Sequence, residues 1–410
     1  MKRPASALAK APILLCLWAS WAVAAPQTRI DLQALVNASA AGDTLALKAA
    51  RYSGAILDRP LTLMGRGPAT IIDGGGAGHG LTVEAPDVAI KNLRVIHSGT
   101  DVTLEESGIW VDSRAARIEI AQIQIEQCGF GIWIDGAAKP TIVGCQIIGR
   151  TDEAIVSDLG NGIHLFKVEG GLVADNSVVH GRDGIYISNS TGCLIRDNRI
   201  DRTRFAIHYM YSHANQIIGN RADSSSVGIA LMYSKNLQVL DNQVHGCHTH
   251  GILLRNLYYS RIADNRTWGN EDGFFFSGCN YDTLTANLVT QNALGLLVSD
   301  SRDNAVYGNA ISDNAQQLSY QDNKATAWEG NYWSDYLGWD RNGDGIGDKK
   351  HYPADIASYL VYRFPTVRLV MHSPAMKLLQ GLEAQFPVIR PPGVVELKPL
   401  MRNPIANGSP

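Results

Sequence analysis

One histidine and two methionines raise the first chemical question. His208 and Met210 stand two residues apart, and Met232 follows Met210 by 22 residues. An imidazole and two thioethers are soft donors, suited to Cu(I) far better than to zinc or magnesium. His164 is a further imidazole in the same sequence phase. A second group, His245, Cys247, His248 and His250, places three imidazoles and a thiol within six residues. Such a set can take copper or zinc, although consecutive turn residues diverge and only some can converge. A third signal is the loop Asp340-Arg341-Asn342-Gly343-Asp344-Gly345-Ile346-Gly347-Asp348. Its oxygen donors Asp340, Asn342, Asp344 and Asp348, its glycine and the Ile346 carbonyl fall where a Ca²⁺ loop needs them. The bidentate closing position holds His351, so Asp335 or Asp355 would have to substitute.

Whether these residues meet depends on the scaffold, and the scaffold is written as a repeat. A small residue followed by an apolar one recurs at Gly108-Ile109, Gly131-Ile132, Gly162-Ile163, Gly184-Ile185, Ala206-Ile207, Gly228-Ile229, Gly251-Ile252, Gly273-Phe274 and Gly295-Leu296. The steps are 22 or 23 residues, except for 31 between Gly131 and Gly162. A second column keeps the same phase: Asn176, Asn198, Asn220, Asn242, Asn265, Asn287, Asn309 and Asn331. Units this short suit one coil of a parallel β-solenoid, each coil stacked on the last at about 4.8 Å. Stacked asparagines then pass amide hydrogen bonds along a turn. The expected fold is all-β, a right-handed parallel β-helix by the usual crossover rule.

Strand alternation sends the apolar residue after each glycine inward and its neighbour outward. The outward third position reads Trp110, Trp133, His164, Tyr186, His208, Ala230, Leu253, Phe275 and Leu297. The fifth reads Asp112, Asp135, Phe166, Ser188, Met210, Met232 and Arg255. An aromatic stripe on an outer face marks a docking surface, with Trp110, Trp133, Phe166, Tyr186 and Phe275 as its anchors, or a face covered by the chain's own tail. Met210 and Met232 become neighbours within it. The alternative use of this face is carbohydrate chemistry, a lyase, epimerase or hydrolase drawing on Asp112, Asp135, Tyr186 and His208.

The remaining segments frame the repeat. Lys2 and Arg3, the apolar run Ala11–Trp21 and Ala22-Val23-Ala24 read as a cleavable export signal over residues 1–24. Residues 25–107 form a cap and the first coils, with a short amphipathic helix over Leu32–Ser39 plugging the open end. Regular coils run over 108–333, the Gly/Asp-rich loop over 334–355 and an apolar, Pro-punctuated tail over 356–410. Ser373-Pro374 starts a helix over Ala375–Gln385. The 410 residues carry a net charge of −3, which becomes −6 once Lys2, Arg3 and Lys10 are cleaved away. No basic excess exists to hold a nucleic acid. Five cysteines remain after cleavage; an odd number without paired spacing reads as buried thiols rather than a disulfide framework.

The tail carries a more specific signature: Gly330-Asn331-Tyr332-Trp333-Ser334-Asp335-Tyr336, Gly338-Trp339-Asp340 to Asp348, Tyr362-Arg363-Phe364-Pro365, Phe386 to Val394 and Pro399-Leu400-Met401-Arg402. With the export signal and the coils, it resembles the NosD family, periplasmic maturation proteins of nitrous-oxide reductase. The resemblance implies a non-enzymatic accessory protein in the periplasm. It implies work with an ABC-type ATPase and its membrane subunit, with apo nitrous-oxide reductase and a copper chaperone as further partners. Membrane contact would come only through a partner and copper would be transient; the calcium expected from the Asp340–Asp348 loop would be structural.

Overall fold

The computed structural model describes residues 28–152, 155–321, 326–353, 360, 364–370, 373–385 and 394–405. The signal segment and its cleavage site, Glu153, Asp355 and Phe386 to Gly393 lie outside the described residues. The chain is an all-β parallel solenoid of about thirteen coils. Each coil contributes one strand to each of three sheets, which among the described residues hold thirteen, thirteen and twelve strands. The first sheet runs from Thr44–Ala46 to Ala327–Trp328, the second from Arg51–Ser53 to Tyr332–Trp333, and the third from Ala55–Leu57 to Gln316–Gln321. Strands of the first two sheets have two or three residues. Those of the third reach six, as in Phe205–Met210 and Val227–Met232.

Register follows the repeat without slippage. Ile185 pairs with Ile207 and Ile207 with Ile229. These and the apolar positions of the other sheets fill one continuous core. The small residue that opens each coil has a steric cause: a Cβ on Gly184 would lie 2.4 Å from Ile200 Cγ2 and 2.5 Å from the Ala206 carbonyl. The five cysteines are free and buried.

The asparagine column sits in the turn between first and second sheets. Asn198 Nδ2 donates to Asn220 Oδ1 at 2.9 Å and to the Val173 carbonyl at 3.0 Å. Asn220 repeats this onto Asn242. Buried amides thus satisfy one another and the turn carbonyls, leaving no orphaned donor in a turn that water does not reach.

Both ends are closed. Helix Leu32–Asn37 buries Leu32 and Val36 against the first coil, and Asp31 caps it by accepting from the Ala34 N–H at 3.0 Å. At the other end the segment after Val394 returns to the last coil, with Leu400 bridging Tyr332 and Glu396 bridging His351. Helix Pro374–Gln385 forms as its N-cap suggests, Ser373 Oγ accepting from the Met376 N–H. No helix among the described residues is long and apolar enough to cross a membrane.

Candidate functional site

The third sheet's outer face gathers the side chains that the repeat phase aligns. Trp133 pairs with His164, His164 with Tyr186, Tyr186 with His208, and His208 with Ala230. Their rings pile along the rod, with centroids 3.8 Å apart for Trp133–His164 and 4.6 Å for His164–Tyr186 and Tyr186–His208. Met210 pairs with Met232 in the adjoining column. Though they face outward, Trp133, His164 and His208 are no more than 7% exposed, because neighbouring rings cover them.

The two buried histidines of this column are held differently. His208 Nδ1 lies 2.9 Å from Asp183 Oδ2, and Asp183 is itself gripped by Arg204 through two bonds of 2.8 and 2.7 Å. A carboxylate only accepts, so Nδ1 carries the proton that goes to Asp183, and Nε2 is the ring nitrogen left to act as a metal donor. Burial alone would raise the Asp183 carboxyl. His208 and Arg204 outweigh it, and the group sits below its ordinary value, ionised. His164 has the opposite arrangement. Its Nδ1 faces the Asn161 Nδ2 donor at 3.4 Å, and Asn161 Oδ1 accepts from the Asp183 N–H, which fixes the amide's orientation. Nδ1 therefore accepts, and the proton resides on Nε2. Burial brings this imidazole down to about 3. Neither Nε2 has a hydrogen-bond partner.

A second carboxylate-held histidine shares the face. His250 Nδ1 lies 2.7 Å from Asp272 Oδ2, and its ring packs 4.7 Å from Phe275. Between the His208 and His250 coils lies a coil of small side chains, Val227 and Ala230. They pack with Leu253 under Phe205, Met232 and Phe275. Two oriented imidazoles thus border an apolar patch on which Met232 packs, with Met210 paired beside it in register. A carboxylate–imidazole pair of this kind fixes tautomer and ring, and makes Nε2 a better metal donor.

Other expected groups do not converge. His250 leaves the His245–His250 cluster for the third-sheet face, while His245 stacks on Trp268 at 5.1 Å. Cys247 is buried in the core, its thiol pushed up to about 12 by burial, and His248 is exposed. In the Gly/Asp-rich loop the side chains serve the turn itself. Asp340 accepts from the Gly343 and Gly345 N–H groups, Asn342 from Asp344, Asp344 from Ile346, and Asp348 from Arg341. His351 Nε2 lies 3.2 Å from Asp335. Among the described residues no three His, Cys, Asp or Glu side chains gather as a metal cluster. Asp112 is held below its usual range, first by the Arg114 guanidinium at 2.7 Å, and lies three coils from Tyr186.

Asp183, Asp272, Asn161 and Arg204 are the residues that the repeat pattern did not single out. Three of them stand directly before the small residue that opens a coil, as Asp183-Gly184, Asp272-Gly273 and Asn161-Gly162 do. Outward polar residues in this column were the available signal.

With this geometry in view, comparisons place the chain among known proteins. Residues 143–338 match a family model described as periplasmic copper-binding protein (NosD). The chain is 39% identical over 385 residues to the probable ABC transporter binding protein NosD of Pseudomonas aeruginosa, covering 89% of each. To the protein of the same description from Stutzerimonas stutzeri it is 36% identical over 413 residues, covering 95% of this chain and 93% of that one. Among solved structures, a family 28 exopolygalacturonase of Yersinia enterocolitica superposes with a TM-score of 0.52 at 10% identity, covering 73% of this chain and 75% of that one. That likeness is one of fold alone.

Proposed function

This chain belongs to the NosD family, and we propose that it is a non-enzymatic periplasmic scaffold that holds copper in passage. It works with an ABC-type ATPase and membrane subunit, receives copper from a chaperone and presents it to apo nitrous-oxide reductase. The observation that carries the copper reading is the His208–Asp183 pair: a buried imidazole held so that its unpartnered Nε2 is a donor, in the strand that ends at Met210, which pairs with Met232. Imidazole and thioether donors match Cu(I), and methionine adapts to a cargo that arrives and leaves. His250, fixed by Asp272, offers a second imidazole two coils on. Asp112, one carboxylate of the carbohydrate reading, is tied to Arg114 and lies three coils from Tyr186, which favours the scaffold.

The tail suits an apolar partner. Phe364, Leu369 and Val370, and Leu378 and Leu382 one helical turn apart, are exposed. They support anchoring to the membrane subunit. The test is Cu(I) competition against a chelator for the combined variant His208→Ala, Met210→Leu, Met232→Leu. Affinity is expected to fall by at least about tenfold. Unchanged competition removes the direct-ligand reading. Leu378→Asp with Leu382→Asp is expected to abolish co-purification with the membrane subunit while leaving copper competition intact.

A further inference from the structure

Trp133, His164 and His208 of the third sheet are buried beneath neighbouring rings, while Trp110, Phe166, Tyr186 and Phe275 stay half-buried. The exposed aromatic surface lies one turn away. Tyr211, Tyr233, Tyr258, Tyr259 and Tyr281 occupy the turns leading from the third sheet to the first over four successive coils, and they are 37 to 60% exposed. Tyr211 stacks on Tyr233 with centroids 5.1 Å apart and planes 20° apart. Tyr259 stacks on Tyr281 at 5.1 Å and 5°. All four of these stacked residues have φ between 52° and 62°, where bulky side chains are strained. Inter-coil bonds hold them there, such as the Tyr233 N–H donating to the Arg255 carbonyl at 2.9 Å.

Charge on this edge is one-sided. His213 bridges Lys235, Lys235 bridges Tyr258, and exposed Arg255 and Arg261 flank them. The one acid in these four turns, Asp282, is 1% exposed. The next turn brings exposed Asp300 and Asp303, which bound the strip. A cationic, phenol-rich edge on a chain of net charge −3 is a local departure from the whole.

We propose that this tyrosine edge is the docking surface for a folded protein partner that presents an acidic patch. Exposed tyrosine and arginine are the residue types enriched where interfaces draw their energy, and opposed charge steers such encounters. Rings stacked face to face offer edges and hydroxyls outward, which suits a protein surface better than a sugar ring that needs an open face. Tyr211 and Tyr233 directly follow Met210 and Met232, so a partner seated here reaches the soft-donor patch. The choice of probe rests on the function proposed above.

The test uses immobilised full-length chain and copper-free nitrous-oxide reductase as probe. Tyr233→Asn with Tyr259→Asn removes rings while keeping a residue that tolerates positive φ. Lys235→Glu with Arg255→Glu reverses the charge. Each pair is expected to weaken binding by about tenfold or more, the second also erasing the salt dependence. Tyr307→Asn, on the first sheet, is expected to change nothing. Wild-type binding that survives both pairs within about twofold overturns the tyrosine edge alone. Absence of wild-type binding overturns both this assignment and reductase docking. Retention on phosphatidylglycerol vesicles that both pairs abolish, with reductase binding intact, overturns it in favour of a lipid surface.

Discussion

Glu396 does for Asn331 what Asn331 does for Asn309. Asn309 Nδ2 donates to Asn331 Oδ1 at 2.9 Å, and Asn331 Nδ2 donates to Glu396 Oε2 at 2.7 Å. The carboxylate is fully buried and also accepts from the Gly330 and Lys398 N–H groups and from Trp333 Nε1. The last asparagine of a ladder has no following coil to accept its amide. The returning tail supplies that acceptor from 65 residues away.

Removing that acceptor should unpick the rod from one end. Glu396→Ala leaves several buried donors unpaired, a loss of about 3 kcal/mol or more for the last coil. Coils contact only their neighbours, so the damage should stay local. Hydrogen exchange is expected to quicken at Gly330–Trp333 and to stay slow around Asn198. Uniform protection along the rod in the variant would show that Glu396 is no cap.

Orientation of the two imidazoles makes opposite predictions for neighbouring residues. Asp183→Asn removes the charge that holds His208 and should lower Cu(I) affinity about tenfold. His164→Phe should leave it unchanged, because the His164 Nε2 carries a proton and offers no lone pair. Chelator competition on both variants decides, and a larger effect from His164→Phe would refute the tautomer assignment.

Stability should depend on pH through two buried groups acting in opposite directions. Burial lifts Asp282 from 3.8 to about 7, and one carboxylate oxygen has no partner. The folded state therefore binds the extra proton; this contribution is complete below about pH 4 and lost as pH rises through 7. His164, brought from 6.5 to about 3, contributes above 6.5 and loses that contribution as pH falls toward 3. Asp282→Asn removes the first slope and should stabilise the chain at pH 8 by up to roughly 4 kcal/mol. Denaturation midpoints should then rise from pH 4 to about 6.5 and level off up to pH 8. A fall above pH 6 in the variant would contradict this.

Much of the fold was legible because the repeat imposes phase. The glycine column and the asparagine column each hold one position per coil, so stacking, the inward isoleucines and the Met210–Met232 pairing follow from counting residues. Counting says less about direction within a turn. His245, Cys247, His248 and His250 sit within six residues, yet they go to a stacked ring, the core, solvent and the third-sheet face in turn. The tyrosines of the exposed edge were invisible to a strand pattern because they stand in turns, in three different columns.

What the sequence determined by itself is therefore periodic: the solenoid, its apolar interior, and the sets of side chains that share a column. Short-range phase suffices, since identical backbone geometry in each coil puts equal positions above one another. Which ring nitrogen faces a carboxylate, where burial raises a carboxyl, and what closes the rod were decided only by the tertiary structure. Those properties depend on partners in other coils or in the returning tail, as Asp183 is to His208 and Glu396 is to Asn331, and no single repeat contains them.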